Sequence, residues 1–181
     1  DITDAWGGLG VMGPLWRSLL QSISNADLSN AHYPFGAIRE IEIGTTICQA
    51  LRMSYVGELG WEIYAPVDDL ETLYFAITEA GKPFGLRHAG FHAMNSLRLE
   101  AGFRHWGDDI SDEATPLEAG LGFAISWEKP GGFIGREALL EQRNQPRVKR
   151  LIQFRVEDSE LISYHDDPIF RDQTYVGRTT G

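Results

Sequence analysis

Ser54-Tyr55-Val56-Gly57-Glu58-Leu59-Gly60-Trp61-Glu62-Ile63-Tyr64 is the stretch on which the reading of this chain turns. Gly57 and Gly60 supply a tight reversal, and Trp61-Glu62-Ile63-Tyr64-Ala65 returns from it as a strand. Side chains alternate across a strand, so Trp61 and Ile63 share one face while Glu62 and Tyr64 share the other. On the incoming side, Ile47, Gln49, Leu51, Met53 and Tyr55 line one face of a strand, and Cys48, Ala50, Arg52 and Ser54 line its other face. Farther upstream, Ile38 to Ile43 alternates like a half-buried strand, and Asn30 to Gly36, with Pro34, reads as a loop. Leu15, Trp16, Leu19, Leu20 and Ile23 have helical spacing behind Pro14, which a helix tolerates in its first turn.

Downstream, Asp68 with Glu71 three positions on has the form of a capping box. Leu70, Leu73, Tyr74 and Ile77 give the helix its apolar stripe, and Gly81 followed by Pro83 stops it. A second helix is expected from near His88 to Ala101, with Phe91, Met94, Leu97 and Arg98 grouped on one side and Gly102 as the stop. Asp108 to Glu113 is an acidic loop, Leu121 to Trp127 reads as a strand, Gly131-Gly132 as a turn, and Gly135 to Arg143 as a short helix. After Pro146 the texture changes. Leu151 to Val156, Pro168 to Phe170 and Thr174 to Val176 are short strand-like pieces between polar turns. A domain boundary near Pro146 divides 1–146 from 147–181, and the second stretch is too short to close a sheet of its own. The fold class expected is α+β.

Composition narrows the function. The chain has 181 residues, a formal net charge of −10, 43% hydrophobic and 23% charged residues, the profile of a globular domain. The acidic balance argues against a nucleic-acid partner, which needs a basic footprint. No window reaches the roughly 18 apolar residues of a membrane span, and no basic, apolar leader opens the sequence at Asp1. Cys48 is the only cysteine, so neither an internal disulfide nor a cysteine-rich zinc site can form. A reducing compartment, whether bacterial cytoplasm or mitochondrial matrix, is compatible with this.

No phosphate loop, dinucleotide glycine fingerprint or nucleophile elbow is present. His88 and His92 are one helical turn apart, but a metal pair there needs a third ligand, and no metal site is expected. Cys48 reads as a small core residue rather than a nucleophile. Glu62 is the acid of most interest. Buried beside large aromatics it would need a hydrogen-bonding partner, and a flat heterocycle with adjacent N–H donors satisfies a carboxylate in a two-pronged way. Ordinary burial preferences favour an exposed glutamate instead. Arg98 either anchors an internal ion pair or reaches a ligand, the first being favoured. Arg104-His105-Trp106-Gly107 places two possible cations beside an aromatic plate, suited equally to stacking on a ring and to a packed loop. Asp108, Asp109, Asp112 and Glu113 lack calcium-loop spacing.

Five strings in one order resemble the glycine-cleavage T-protein (aminomethyltransferase) family. They are Leu9-Gly10-Val11-Met12-Gly13-Pro14, Ser54 to Tyr64 as quoted above, Ser96-Leu97-Arg98-Leu99-Glu100-Ala101-Gly102, Thr115 to Phe123, and Phe133-Ile134-Gly135-Arg136-Glu137-Ala138-Leu139. Phe103-Arg104-His105-Trp106-Gly107, and Val56 where the glycine-cleavage branch carries threonine, are more similar to the dimethylglycine and sarcosine dehydrogenase branch. The resemblance implies a tetrahydrofolate-binding α+β fold with antiparallel sheets and packed helices, followed in 147–181 by the start of a small β-barrel. It implies a one-carbon transfer module whose folate captures the carbon that a flavin domain removes from an N-methylamine. FAD is then expected in that other domain of the parent chain. Glu62 would bind the pterin ring and Tyr55 would line its pocket, with Arg104 and Trp106 as further folate-binding candidates. Met94-Asn95 replaces the arginine-aspartate pair of the glycine-cleavage branch. The family's essential aspartate falls upstream of Leu9, and Asp1 and Asp4 come too late to match it. The catalytic residue is therefore expected outside this chain, which reads as a fragment with little transferase activity of its own. Two other readings remain: a stand-alone T-protein working with a lipoyl carrier, and a non-catalytic folate-binding protein.

Overall fold

A computed structural model describes residues 1–146, 148–158 and 160–181. The fold is α+β with antiparallel sheets, as expected, and the chain divides into two compact units, Asp1–Phe103 and Arg104–Gly181. The boundary expected near Pro146 falls inside the second of these.

The first unit is built on a four-stranded sheet in the order β1-β4-β3-β2, formed by β1 (Trp6–Met12), β2 (Ile38–Ile43), β3 (Thr46–Leu51) and β4 (Gly60–Pro66). Every pairing is antiparallel. α1 (Trp16–Ser22) and α2 (Val67–Gly81) cover one face. That face carries the core: Ile41 and Ile43 of β2, Cys48 and Ala50 of β3 and Trp61, Ile63 and Ala65 of β4. They meet Trp16, Leu19 and Leu20 of α1 and Leu73 and Ile77 of α2. The alternation read from the sequence thus sends Trp61 and Ile63 inward and leaves Glu62 and Tyr64 half-buried on the other side. α3 (Phe91–Glu100) closes the unit.

Several local expectations are corrected. The incoming strand ends at Leu51, and Arg52 to Leu59 form a broad loop instead of a tight reversal. Ile47, on the face opposite the core, is 62% exposed. Pro66 occupies the N-cap of α2, and no side chain caps that helix, so Asp68 and Glu71 do not form the box. α3 begins at Phe91, which leaves His88 off the helix and removes the one-turn spacing to His92.

β1 has no counterpart in the sequence reading. Its Trp-Gly-Gly-Leu-Gly-Val-Met composition is poor in strand formers, and it holds its place by pairing along its whole length with β4. Two of its glycines permit close approach. A Cβ on Gly7 would lie 2.5 Å from Leu70 of α2, and one on Gly8 would lie 3.2 Å from the Tyr64 ring.

In the second unit, α4 (Arg136–Arg143) forms where a short helix was expected. β5 (Pro168–Arg171) and β6 (Thr174–Arg178) pair as an antiparallel hairpin. Leu121 to Trp127 is not a strand: Gly122–Ala124 makes a single 3-10 turn. Leu151 to Val156 pairs with no strand among the described residues, and the Leu151 N–H donates instead to Glu118 O at 2.9 Å. For the barrel expected of 147–181, the described residues hold this two-stranded hairpin.

Candidate functional site

Glu62 lies mid-strand in β4 on the face turned away from the core, between Gly10 of β1 and Leu51 of β3. Its Oε2 accepts a hydrogen bond from the Tyr64 hydroxyl at 2.5 Å. The two residues are i and i+2 on one strand, so their side chains rise side by side from the same surface. This bond, then burial, then the Glu62 charge raise the Tyr64 pKa above its usual value, so the phenol stays a donor throughout the neutral range. The neighbouring positions on β1 are Gly8, opposite Tyr64, and Gly10, opposite Glu62, both exposed. A Cβ built on Gly10 would touch only the Met12 methyl, at 3.6 Å. The surface beside the carboxylate is therefore low at Gly10, while the Tyr64 ring lies against Gly8, and the half-buried Met12 and Leu51 flank it.

Tyr55 stands in the loop between β3 and β4, not in the strand, and its ring stacks on Phe103 with centroids 5.9 Å apart and planes 17° apart. The loop is tied at both ends. Arg52 Nη1 donates to Tyr33 O at 2.6 Å, and Leu59 O accepts from Gly13 N at 2.8 Å. Its Gly57, at φ +76°, rests against Ala101 just past α3. Beneath the strand the Trp61 indole meets Tyr33 edge-on, and the Arg17 and Arg52 guanidiniums lie 5.9 and 5.7 Å from its centroid. Arg98 is 1% exposed; its Nε donates to Asn95 Oδ1 at 2.7 Å and its Nη1 to Phe103 O at 3.2 Å.

Arg104 and Trp106 belong to the second unit. Arg104 Nε donates to Ala119 O at 3.0 Å, while Trp106 is 68% exposed at a turn bridged to Ile110. Between them His105 donates its backbone N–H to Asp109 Oδ2 at 2.8 Å, and its Nδ1 contacts Asp108 Oδ2. A hollow of about 460 Å³ in this unit runs along Lys129, Gly132, Phe133 and Arg136, and none of the four expected folate-binding residues lines it. In the first unit the His88 Nε2 lies 2.9 Å from the Tyr74 hydroxyl. Among the described residues no group of three His, Cys, Asp or Glu side chains is arranged to hold a metal. No helix among them is long and apolar enough to cross a membrane.

The model of the GCVT N-terminal domain matches residues 1–129. The chain belongs to the GCVT family. It is 42% identical over 180 residues to the 4-methylaminobutanoate oxidase (formaldehyde-forming) of Paenarthrobacter nicotinovorans, covering 99% of this chain and 22% of that one. It is 38% identical over 177 residues to human mitochondrial sarcosine dehydrogenase, covering 98% and 19%. An aminomethyltransferase from Caldanaerobacter subterraneus is 39% identical over 154 residues, covering 85% and 41%. Among solved structures, the glycine cleavage system aminomethyltransferase T of Bartonella henselae superposes with a TM-score of 0.62 at 29% identity, over 76% of this chain and 36% of that one. The chain thus spans about a fifth of the length of the oxidase and dehydrogenase relatives. The resemblance drawn from the five strings is borne out: this is an aminomethyltransferase-like GCVT domain of a kind that dehydrogenases share with aminomethyltransferases.

Alternation along the strand set Glu62 and Tyr64 on one face, but did not show the bond between them. The glycines of β1 that leave room beside that pair were missed as well. Their signal was available, because Gly8 and Gly10 alternate with Leu9 and Val11 as in a strand whose outer face is bare at its middle.

Proposed function

We propose that this domain binds tetrahydrofolate through Glu62 and serves one-carbon transfer in a flavin-dependent dehydrogenase of the dimethylglycine or sarcosine type. One observation carries the reading: a carboxylate stands on the outer face of β4, one oxygen engaged by Tyr64, beside Gly10 of β1, which raises no side chain next to it. A pterin edge offers adjacent N–H donors to such a carboxylate, and charge-assisted pairs of this kind are the stronger hydrogen bonds. The low surface at Gly10 leaves space beside the carboxylate, with Leu51 and Met12 at its sides. When bound, folate supplies the nitrogens that take up the one-carbon unit. In this reading Glu62 fixes the ring's orientation, which is how positioning accelerates transfer between bound groups. Tyr55 is proposed as a further folate contact. No acid or base is assigned within the chain.

The dehydrogenase and oxidase relatives support placing the domain beside a flavin domain in a longer polypeptide. Met94-Asn95, where the resemblance leads one to expect an arginine-aspartate pair in the glycine-cleavage branch, supports this over a stand-alone aminomethyltransferase. Titration of the full-length protein with 5-formyltetrahydrofolate, an unreactive folate, tests the Glu62 assignment by calorimetry. Glu62→Ala is expected to raise the Kd roughly 100-fold, the loss of two hydrogen bonds to a charged group. An unchanged Kd rejects the assignment.

A further inference from the structure

Resting on that reading, we propose that Tyr64 is a positioning residue, whose hydroxyl pins one oxygen of Glu62 so that the carboxylate offers its remaining lone pairs to the pterin in a fixed orientation. A glutamate on an open sheet face has three side-chain torsions to order when a ligand arrives, and that ordering weakens binding. The 2.5 Å bond from Tyr64 to Oε2 restricts those torsions beforehand. An ionised carboxylate has about four acceptor sites, so one bond leaves enough for a two-pronged partner.

The tyrosine is itself held. It faces Gly8 across the β1–β4 pairing, and a Cβ there would come within 3.2 Å of both Cδ1 and Cε1 of its ring. The ring therefore lies close over the β1 backbone, which aims the hydroxyl along β4 toward Glu62. Gly8 thus belongs to the same device: a branched side chain at that position displaces the ring and with it the donor.

A double-mutant cycle on the full-length protein tests this, read as the Kd for 5-formyltetrahydrofolate by competition titration and the Tm of each variant. Tyr64→Phe removes only the hydroxyl. It is expected to raise the Kd about 10-fold while leaving the Tm within roughly 2 °C, because a half-buried ring keeps its packing. In the Glu62→Ala background the same change is expected to alter the Kd less than about 2-fold, since there is no carboxylate left to position. Gly8→Val, which moves the ring without touching the hydroxyl, is expected to reproduce the loss. If Glu62→Ala weakens binding but Tyr64→Phe does not, the positioning role fails and the folate reading stands. An equal loss from Tyr64→Phe in both backgrounds also overturns it, by showing that the tyrosine acts on the ligand or the fold directly. A Glu62→Ala protein that binds as tightly as the parent overturns both claims.

Discussion

Cys48 illustrates what a single side chain contributes to this sheet. It sits on the core face of β3, 1% exposed, with its Sγ donating to Ile41 O at 3.4 Å. Burial pushes its thiol up from 9.0 to about 11. The unfolded thiol therefore ionises first as pH rises, while the folded one keeps its proton, so the folded state binds more protons between pH 9 and 11 and stability falls across that window. Urea midpoints measured from pH 8 to 11 are expected to drop more in the parent than in Cys48→Ala. The native thiol should also resist a disulfide reagent at pH 8 and react promptly in denaturant. Trp61 is the larger contributor, fully buried and contacted by Tyr33, Arg17 and Arg52. Because its indole is fully buried, Trp61→Ala is expected to cost about 3–5 kcal/mol in denaturant unfolding.

Between elements, the contact to watch is the β3–β4 loop against the end of α3. Gly57 has φ +76°, and a Cβ there would lie 2.8 Å from the Ala101 Cβ. Gly57→Ala is expected to cost roughly 1–3 kcal/mol from the left-handed backbone alone. Ala101→Gly in that background should restore only the part due to the clash, a partial recovery readable as Tm. Full recovery would mean the backbone term is absent. This loop also shows where sequence stops being legible. Period-two alternation named β2, β3 and β4 and sorted the side chains of β3 and β4 onto two faces. It could not tell that pairing ceases at Leu51, because Met53 and Tyr55 continue the pattern without a partner strand. The same reason explains Leu151 to Val156, strand-like in pattern but without a ladder among the described residues. β1 failed in the opposite sense, a strand made by its neighbour and not by its own propensities. Glu62 was legible as chemistry, while its hydrogen bond depends on a rotamer that spacing does not specify.

Across the whole molecule the two units differ in how much apolar surface they bury. The core of the first gathers side chains from α1, α2 and three strands. In the second, Leu117 and Ala119 are the buried hydrophobics among the described residues, while Phe123 is 86% and Ile162 70% exposed. Local opening follows buried contact, so amide hydrogen exchange is expected to be slowest in β3 and β4 and orders of magnitude faster at β5 and β6. Equal protection in the two sheets would contradict that ranking. The folate site proposed for the first unit lies on one surface, the outer face of β4. A crystal structure of the full-length protein with 5-formyltetrahydrofolate tests it most directly. The pterin edge is expected within about 2.7–3.1 Å of the Glu62 carboxylate, its ring on the Gly10 side of that residue. A pterin ordered elsewhere, with Glu62 left to solvent, would contradict it.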